Sequence, residues 1–380
     1  MKKSHTTMRI NKILFILSTV ILVGCGKIEE HFVVSATGSI YECLVVINDN
    51  PLTQEQRDTV AKRSLQNEAS AYTKPIATTY DLVSAIMAAD MPNLPQMEPY
   101  FRLSKVSSAQ FDDFLKPTRN ILIVDIDPKQ YTQQKVTVSV NTWSTPQAVC
   151  RIQSPSQEEF VTYWLEHGEE IREWFVNQEI QRRISFYKVS TNHDARSRLQ
   201  TKMQCDILLP EDYIVIMDTT LTVEHENSDW LDKDIKLLWC CNNKGTIRRD
   251  IVVYSYPYTD QNTFTEEYLN AQRDAILGRV VSTSIQGSYM GTEYKHFAEP
   301  SMRQITVQGN EHATEIRGLW KIFDGGAMGG PYVSHTRLDQ VNGRVITAET
   351  FIYAAGQKKR TALRQAEAIL YTLKLPQDSK

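Results

Sequence analysis

A glycine-rich segment is the first stretch whose residue types could bind a ligand. It consists of Asp324, Gly325, Gly326, Ala327, Met328, Gly329, Gly330 and Pro331. A phosphate-binding loop carries a lysine after its glycines or opens a helix, whereas Pro331 leads here into a predicted strand. The glycines therefore indicate positive φ angles or a close backbone approach. The alternative is a flat loop that closes over a ligand, with Met328 as an apolar contact.

Three tyrosines form a second candidate surface. Tyr254, Tyr256 and Tyr258 alternate along one predicted strand, so their side chains face the same side of a sheet. A row of exposed aromatic rings can stack on sugar rings. Packing between neighbouring strands is the commoner use of such a row.

The remaining titratable residues form no catalytic or metal-binding pattern. Of the seven histidines that follow residue 24, none is paired at i, i+4. One acidic stretch lacks the glycine and the spacing of a calcium loop: Glu224, Glu226, Asp229, Asp232 and Asp234. No nucleophile elbow is present, and sequence alone does not place a carboxylate pair among 45 acidic residues. The sequence thus predicts no catalytic residue, no metal site and no cofactor.

The N-terminus has the pattern of an export signal. Lys2, Lys3, Arg9 and Lys12 precede a ten-residue apolar run from Ile13 to Leu22. A run of this length is too short to span a membrane as a helix. The segment predicts a cleaved leader of residues 1–24.

The end of this leader resembles the lipobox of bacterial lipoproteins. Leu22, Val23 and Gly24 precede Cys25, and the resemblance implies that the chain is cut before Cys25 and that its thiol is acylated. An ordinary cleaved signal that ends at a cysteine and an uncleaved anchor are the alternatives. Since an Asp usually follows the cysteine of inner-membrane lipoproteins and Gly26 follows it here, we expect the outer membrane. Which face it occupies stays open.

Charge argues against a nucleic-acid partner. The leader holds four of the 42 Lys and Arg residues and none of the 45 Asp and Glu residues, so the formal charge after cleavage is −7. The basic clusters are short and interrupted, whereas a nucleic-acid-binding protein shows a basic stripe.

Five cysteines would remain besides Cys25: Cys43, Cys150, Cys205, Cys240 and Cys241. Their number is odd, so at least one thiol is free. Most lie in apolar runs, which favours buried cysteines that pack as small hydrophobic residues over disulfides.

Hydrophobic periodicity and turn residues predict an α+β fold with mixed or antiparallel sheets and a few packed helices. Helices are predicted at 53–71, 79–89, 156–183, 263–277 and 357–373, and strands at 40–47, 119–126, 136–143, 147–153, 205–209, 213–217, 234–241, 245–258, 315–323, 332–337 and 344–354. The expected organisation is a tether (25–38), an N-terminal half (39–203) and a C-terminal half (204–380). The segments 119–124 and 249–254 are similar, which indicates either related halves or a chance match of two buried strands.

Several short motifs resemble a domain-of-unknown-function family of Gram-negative envelope lipoproteins. They are Tyr256-Pro257-Tyr258, Ala271-Gln272-Arg273-Asp274, Gly287-Ser288-Tyr289-Met290, Arg317-Gly318-Leu319-Trp320, Met328-Gly329-Gly330-Pro331-Tyr332-Val333-Ser334 and Lys359-Arg360 through Glu367-Ala368-Ile369-Leu370. The resemblance implies the lipid anchor and transfers no catalytic residue. The segment Asp229-Trp230-Leu231 is more acidic than the family pattern.

Together these features predict a lipid-anchored envelope protein without enzymatic activity that binds a protein partner or a glycan. The alternative is an envelope hydrolase that uses a carboxylate pair.

Overall fold

The computed structural model describes residues 34–66, 75–224, 231–294 and 299–379. Six α-helices lie in this part of the chain: α1 (Gln54–Gln66), α2 (Thr79–Met87), α3 (Gln157–Tyr187), α4 (His193–Met203), α5 (Glu266–Val280) and α6 (Arg360–Leu370). None of these helices combines the length and the hydropathy needed to cross a membrane.

The first sheet has five strands in the order β2-β1-β3-β5-β4. They are β1 (Glu42–Ile47), β2 (Arg102–Val106), β3 (Asn120–Ile126), β4 (Lys135–Val140) and β5 (Ala148–Ser154). All neighbours are parallel except β4, which runs antiparallel to β5. The central strands β1 and β3 are apolar on both faces, as expected for parallel strands covered on both sides.

The second sheet has eight antiparallel strands, in the order β10-β11-β12-β13-β8-β7-β6, and β9 pairs with the end of β11. They are β6 (Ile214–Glu224), β7 (Leu231–Asn242), β8 (Arg248–Pro257), β9 (Tyr289–Glu293), β10 (Ser301–Thr306), β11 (His312–Phe323), β12 (Gly329–Asp339) and β13 (Arg344–Tyr353). The first sheet therefore lies within 39–203 and the second within 204–380.

Helices cover both faces of the second sheet. On one face α6 packs against β12, β13 and β8 and also contacts α3, which packs against β5 of the first sheet. One apolar core consequently contains side chains of both sheets, such as Cys150 and Val253, together with Phe175 of α3 and Leu363 of α6. On the opposite face α5 covers a second core that includes Tyr254, Trp320 and Tyr332.

The predicted α+β class is confirmed. The predicted hairpin between residues 234 and 258 is also confirmed, since β7 and β8 pair directly. The side chain of Ser156 accepts a hydrogen bond from the Glu159 amide and caps α3. Before α1, Thr53 and Gln56 form both bonds of a capping box: each backbone amide donates to the other residue's side chain.

Other predicted elements are wrong. Residues 205–209 form no strand, because their only pairing among the described residues is an isolated bridge between Asp206 and Lys374. The cap of α5 is Thr265, while Thr263 lies in the short 3-10 helix that precedes it. Helix α4 and strands β9 and β10 are missing from the prediction, because their polar sequences give little periodic signal.

The five cysteines at positions 43 to 241 are all free and buried, which confirms the apolar-packing prediction. Burial raises the pKa of Cys150, Cys205, Cys240 and Cys241 to about 12. Their thiols therefore stay protonated at neutral pH.

Candidate functional site

A cleft of about 720 Å³ opens at the C-terminal end of α3, where this helix meets the turn before β6, the β7–β8 hairpin and α6. Helix α3 contributes Arg183, Phe186 and Tyr187, and the hairpin contributes Lys244 and Arg249. We call this feature the α3 cleft. None of its residues belongs to the glycine-rich segment or the tyrosine row.

Hydrogen bonds fix the walls of the α3 cleft. The Tyr187 hydroxyl donates to the carbonyl oxygen of Gln365 over 2.8 Å, which ties the end of α3 to α6. Asn192 caps α4 and donates from Nδ2 to the carbonyl oxygen of Tyr213 over 2.5 Å, which holds the turn before β6. These contacts join segments that are distant in the sequence, so tertiary hydrogen bonds hold the walls of the cleft in place.

Three cations line the α3 cleft. Among the described residues no carboxylate lies within 4.0 Å of Arg183, Lys244 or Arg249. The Arg183 guanidinium lies 5.3 Å from the ring centroid of Phe186 and 5.7 Å from that of Tyr187. The Nε of Arg249 is buried without an acceptor in the described part of the chain, and its Nη1 reaches only the Ile247 carbonyl, at 3.4 Å. A buried donor of this kind costs free energy until an acceptor arrives.

The two acids of the α3 cleft are held by neutral donors. Ser190 Oγ donates to Glu211 Oε2, and Asn242 Nδ2 donates to Asp212 Oδ2, each over 2.5 Å. The cleft thus has three positive and two negative side chains, and the negative ones already have hydrogen-bond partners. Burial raises the pKa of Tyr187 to about 12, against the opposing charges of Arg183 and Arg249. Tyr187 is therefore a neutral phenol at physiological pH.

The glycine-rich segment has the backbone geometry that its composition predicts. Gly326 has a φ of +97°. Gly329 and Gly330 lie inside β12 rather than in the loop, and a Cβ on Gly330 would lie 2.0 Å from the carbonyl oxygen of Ile352. Met328 is partly buried against the core beneath α5. A positive φ at Gly326 and close packing at Gly329 and Gly330 account for these glycines, whereas a ligand-closing role for the loop stays a prediction.

The tyrosine row does not form an exposed aromatic surface. Tyr254 and Tyr256 are buried beneath α5, and their rings stack on each other at 6.3 Å. Tyr258 is half-buried, with its ring 6.3 Å from that of Phe264. The structure corrects the sugar-stacking interpretation, because a buried ring cannot meet a glycan.

An ionic group that is buried except for Arg303 lies beneath α6, and sequence analysis missed it. We call it the α6-face cluster: Arg303, Glu315, Arg317, His335, Arg364 and Glu367. Donor atoms of Glu315, His335 and Glu367 lie within 4.8 Å of one another, which is a spacing that could hold a metal ion. Their sequence separation leaves no local motif that could have revealed them.

In the α6-face cluster, arginines already neutralise the carboxylates that a metal ion would need as ligands. Arg317 donates to both Glu315 and Glu367, Arg303 adds a bond to Glu315, and Arg364 adds bonds to Glu367. Three guanidinium groups thus neutralise two carboxylates. A divalent cation would add charge to a group that already has a positive surplus, so the arrangement fits a structural ion network better than a metal site.

A second buried pair lies beneath α5. Arg273 donates from Nε and Nη2 to Glu349, and its guanidinium lies 3.8 Å from the ring centroid of Tyr332. Arg273 Nη1 also donates to Asp274 and Thr292. Burial alone would lower the pKa of Arg273, but the Glu349 carboxylate holds it above its usual range.

Two comparisons with family models cover most of the chain. Residues 190–372 match the model described as Domain of unknown function (DUF4837), and residues 76–188 match Domain of unknown function (DUF8532). Both families are of unknown function. No curated protein matches the chain.

The boundary between the two matches passes through the α3 cleft. Arg183, Phe186 and Tyr187 lie in the first matched segment, while Arg249 and Gln365 lie in the second. The cleft therefore exists only when both segments pack together.

Several sequence predictions fall outside the described residues, among them the leader (1–24), most of the tether (25–33) and the end of the first predicted helix (67–71). Two of them concern candidate sites. Cys25, the predicted lipidation site, is one of them. Residues 225–230 of the acidic stretch are the other.

Proposed function

We propose that this chain is a lipid-anchored cell-envelope protein that binds a ligand in the α3 cleft without transforming it. The observation that carries the binding role is the pair of arginines, Arg183 and Arg249, that line a 720 Å³ cleft without a carboxylate partner among the described residues. Unpaired charge in a concave, partly apolar site is typical of ligand recognition.

The anchoring part of the proposal depends on the sequence. A positive N-terminal region, a ten-residue apolar run and the segment ending in Gly24-Cys25 support acylation of Cys25. Gly26 favours the outer membrane. A chain held in this way presents the fold and its cleft to the envelope rather than to the cytoplasm.

The hydrolase alternative finds less support. A pair of acids for glycoside hydrolysis must reach the substrate from both sides of the scissile bond. Glu315 and Glu367 do lie close together, but both are fully buried and bonded to arginines. In the α3 cleft, Glu211 and Asp212 are adjacent in the chain and bonded to neutral donors, so binding fits the cleft better than acid and base catalysis.

Site-specific photo-crosslinking in living cells tests the binding role. A benzoylphenylalanine is placed at Phe186, which is 66% exposed at the cleft, and separately at Phe114, which is 86% exposed and does not line it. We expect a ligand adduct, detected by mass spectrometry of the purified protein, at position 186 and not at position 114. Equal adducts at both positions, or none at 186, would contradict a binding role for the cleft.

A further inference from the structure

We propose that the α3 cleft recognises an amphiphilic anion, with a carboxylate or phosphate group against Arg183 and Arg249 and an apolar chain or ring against Phe186 and Val189. This proposal rests on the binding role proposed above and specifies the ligand class.

Two arginines without a carboxylate partner point to an anion. In the described part of the chain the Arg249 side chain donates only to the Ile247 carbonyl, at 3.4 Å, and its Nε has no acceptor. The Arg183 guanidinium packs against the rings of Phe186 and Tyr187, and no described carboxylate lies within 4.0 Å of it. Guanidinium groups bind carboxylates and phosphates through pairs of parallel hydrogen bonds. An oxyanion bound at the cleft-lining faces of these two arginines would balance the surplus positive charge.

The acids of the α3 cleft do not supply this anion. Glu211 and Asp212 each accept a hydrogen bond from a neutral side chain, and neither lies within salt-bridge distance of Arg183, Lys244 or Arg249. A cationic ligand would meet three like charges in the same cleft. An anionic ligand meets the opposite arrangement, because its charge faces cations that have no carboxylate partner in the described part of the chain.

The apolar part of the ligand is inferred from the rim. Phe186 is 66% exposed and Val189 is 86% exposed, and both line the cleft beside the cations. A single exposed apolar side chain is common on protein surfaces. Two of them line the same cleft as the three cations, with the buried Tyr187 and Tyr213 beside them, so the cleft offers both apolar and positive surface.

Four probes separate recognition of the anionic group from recognition of the apolar chain: octyl phosphate, octanoate, octylammonium and inorganic phosphate. Binding to the purified protein is measured by isothermal titration calorimetry at low ionic strength. We expect octyl phosphate or octanoate to bind more tightly than inorganic phosphate, and octylammonium not to bind. The ratio of the two octyl anions tells whether the natural head group is a phosphate or a carboxylate.

Substitutions test the assigned residues. Arg249→Gln and Arg183→Gln should each weaken binding of the octyl anions by about tenfold or more, which corresponds to about 1.4 kcal/mol. Arg279→Gln changes an exposed arginine on α5 and should leave binding unchanged. Phe186→Ser should weaken the octyl anions and spare inorganic phosphate, and Phe114→Ser should affect neither.

Failure of the anionic ligand class can be told apart from failure of the binding role. Equal binding of octylammonium and octyl phosphate, absence of anion binding, or unchanged affinity in both arginine variants would overturn the ligand class. If benzoylphenylalanine at position 186 still forms an adduct in that case, the binding role stands and only the anionic class is wrong. Near-ultraviolet circular dichroism checks that each variant is folded; should Arg249→Gln unfold, Arg183→Gln and Lys244→Gln decide the question.

Discussion

Arg273 and Glu349 form a fully buried ion pair, with the guanidinium Nη2 2.8 Å from the carboxylate Oε1. The two residues are 76 positions apart and join α5 to β13. Because Tyr332 stacks on the guanidinium, the pair is enclosed by an aromatic ring as well as by the sheet.

The first prediction concerns this pair. Arg273→Met should destabilise the protein by about 3–5 kcal/mol, because Glu349 would be left buried without its cation. The double variant Arg273→Met, Glu349→Leu should lose less than the sum of the two single variants, since it leaves no unpaired charge. Urea denaturation of the parent protein, the two single variants and the double variant measures the loss of stability and its non-additivity.

The control for this cycle is the exposed pair Lys116–Asp113. Asp113→Asn should change the urea midpoint little, since water screens this pair. Additive losses in the Arg273–Glu349 cycle would show that the pair does not act as a unit.

The second prediction concerns acid stability through Glu315. Burial alone would raise its pKa, but the charge of Arg317, the hydrogen bond with His335 and the charge of Arg303 hold the pKa well below its usual range. A lowered folded-state pKa contributes stability above the unfolded value of about 4.3, and this contribution is lost as the pH falls toward the folded-state pKa. Glu315→Gln should therefore be less stable than the parent at pH 7, and the difference should shrink below about pH 4.3.

Urea unfolding at a series of pH values measures that difference. Glu311→Gln is a suitable control, because Glu311 is a partly exposed carboxylate that contacts Arg337 outside the cluster. A difference for Glu315→Gln that is constant from neutral to acid pH would contradict the assignment of a lowered pKa.

The third prediction concerns the glycines. Gly330→Ala should be the most damaging alanine substitution in the glycine-rich segment, because its Cβ would collide with the Ile352 carbonyl oxygen on the neighbouring strand. Gly326→Ala has open space and should cost about 1–2 kcal/mol through its positive φ alone. A thermal-melt series ranks them, with Gly343→Ala, another positive-φ glycine in open space, as the matched control for Gly326→Ala.

Equal melting temperatures for Gly330→Ala and Gly326→Ala would contradict the close-approach explanation.

The fourth prediction concerns attachment. Cys25→Ser should move the protein from the membrane fraction to the soluble fraction, because two or more acyl chains dominate membrane affinity at about 0.8 kcal/mol per buried CH₂. Cell fractionation followed by a salt wash measures the share of the protein that stays with the membranes. Cys43→Ser, which changes a buried free thiol, serves as the control. Retention of the Cys25→Ser protein on washed membranes would mean that lipid is not the main anchor.

Local sequence patterns were enough to predict the fold class and much of the secondary structure. Continuous apolar runs identified buried strands such as β3 and β8, and the Ser156 cap with helical periodicity identified α3. These signals are local, since a strand or helix depends on neighbours a few residues away. The same reasoning missed α4, whose stability comes from its Asn192 cap and its packing on β7 rather than from a regular apolar stripe.

The features that bear on function depend on how distant segments pack together. Alternation placed Tyr254 and Tyr256 on one side of a strand, but only the packing of α5 decided that this side is buried. Arg183 and Arg249 are ordinary basic residues in the sequence, 66 positions apart. They line one cleft because α3 and β8 converge there, and such long-range proximity leaves no pattern in a single chain's sequence.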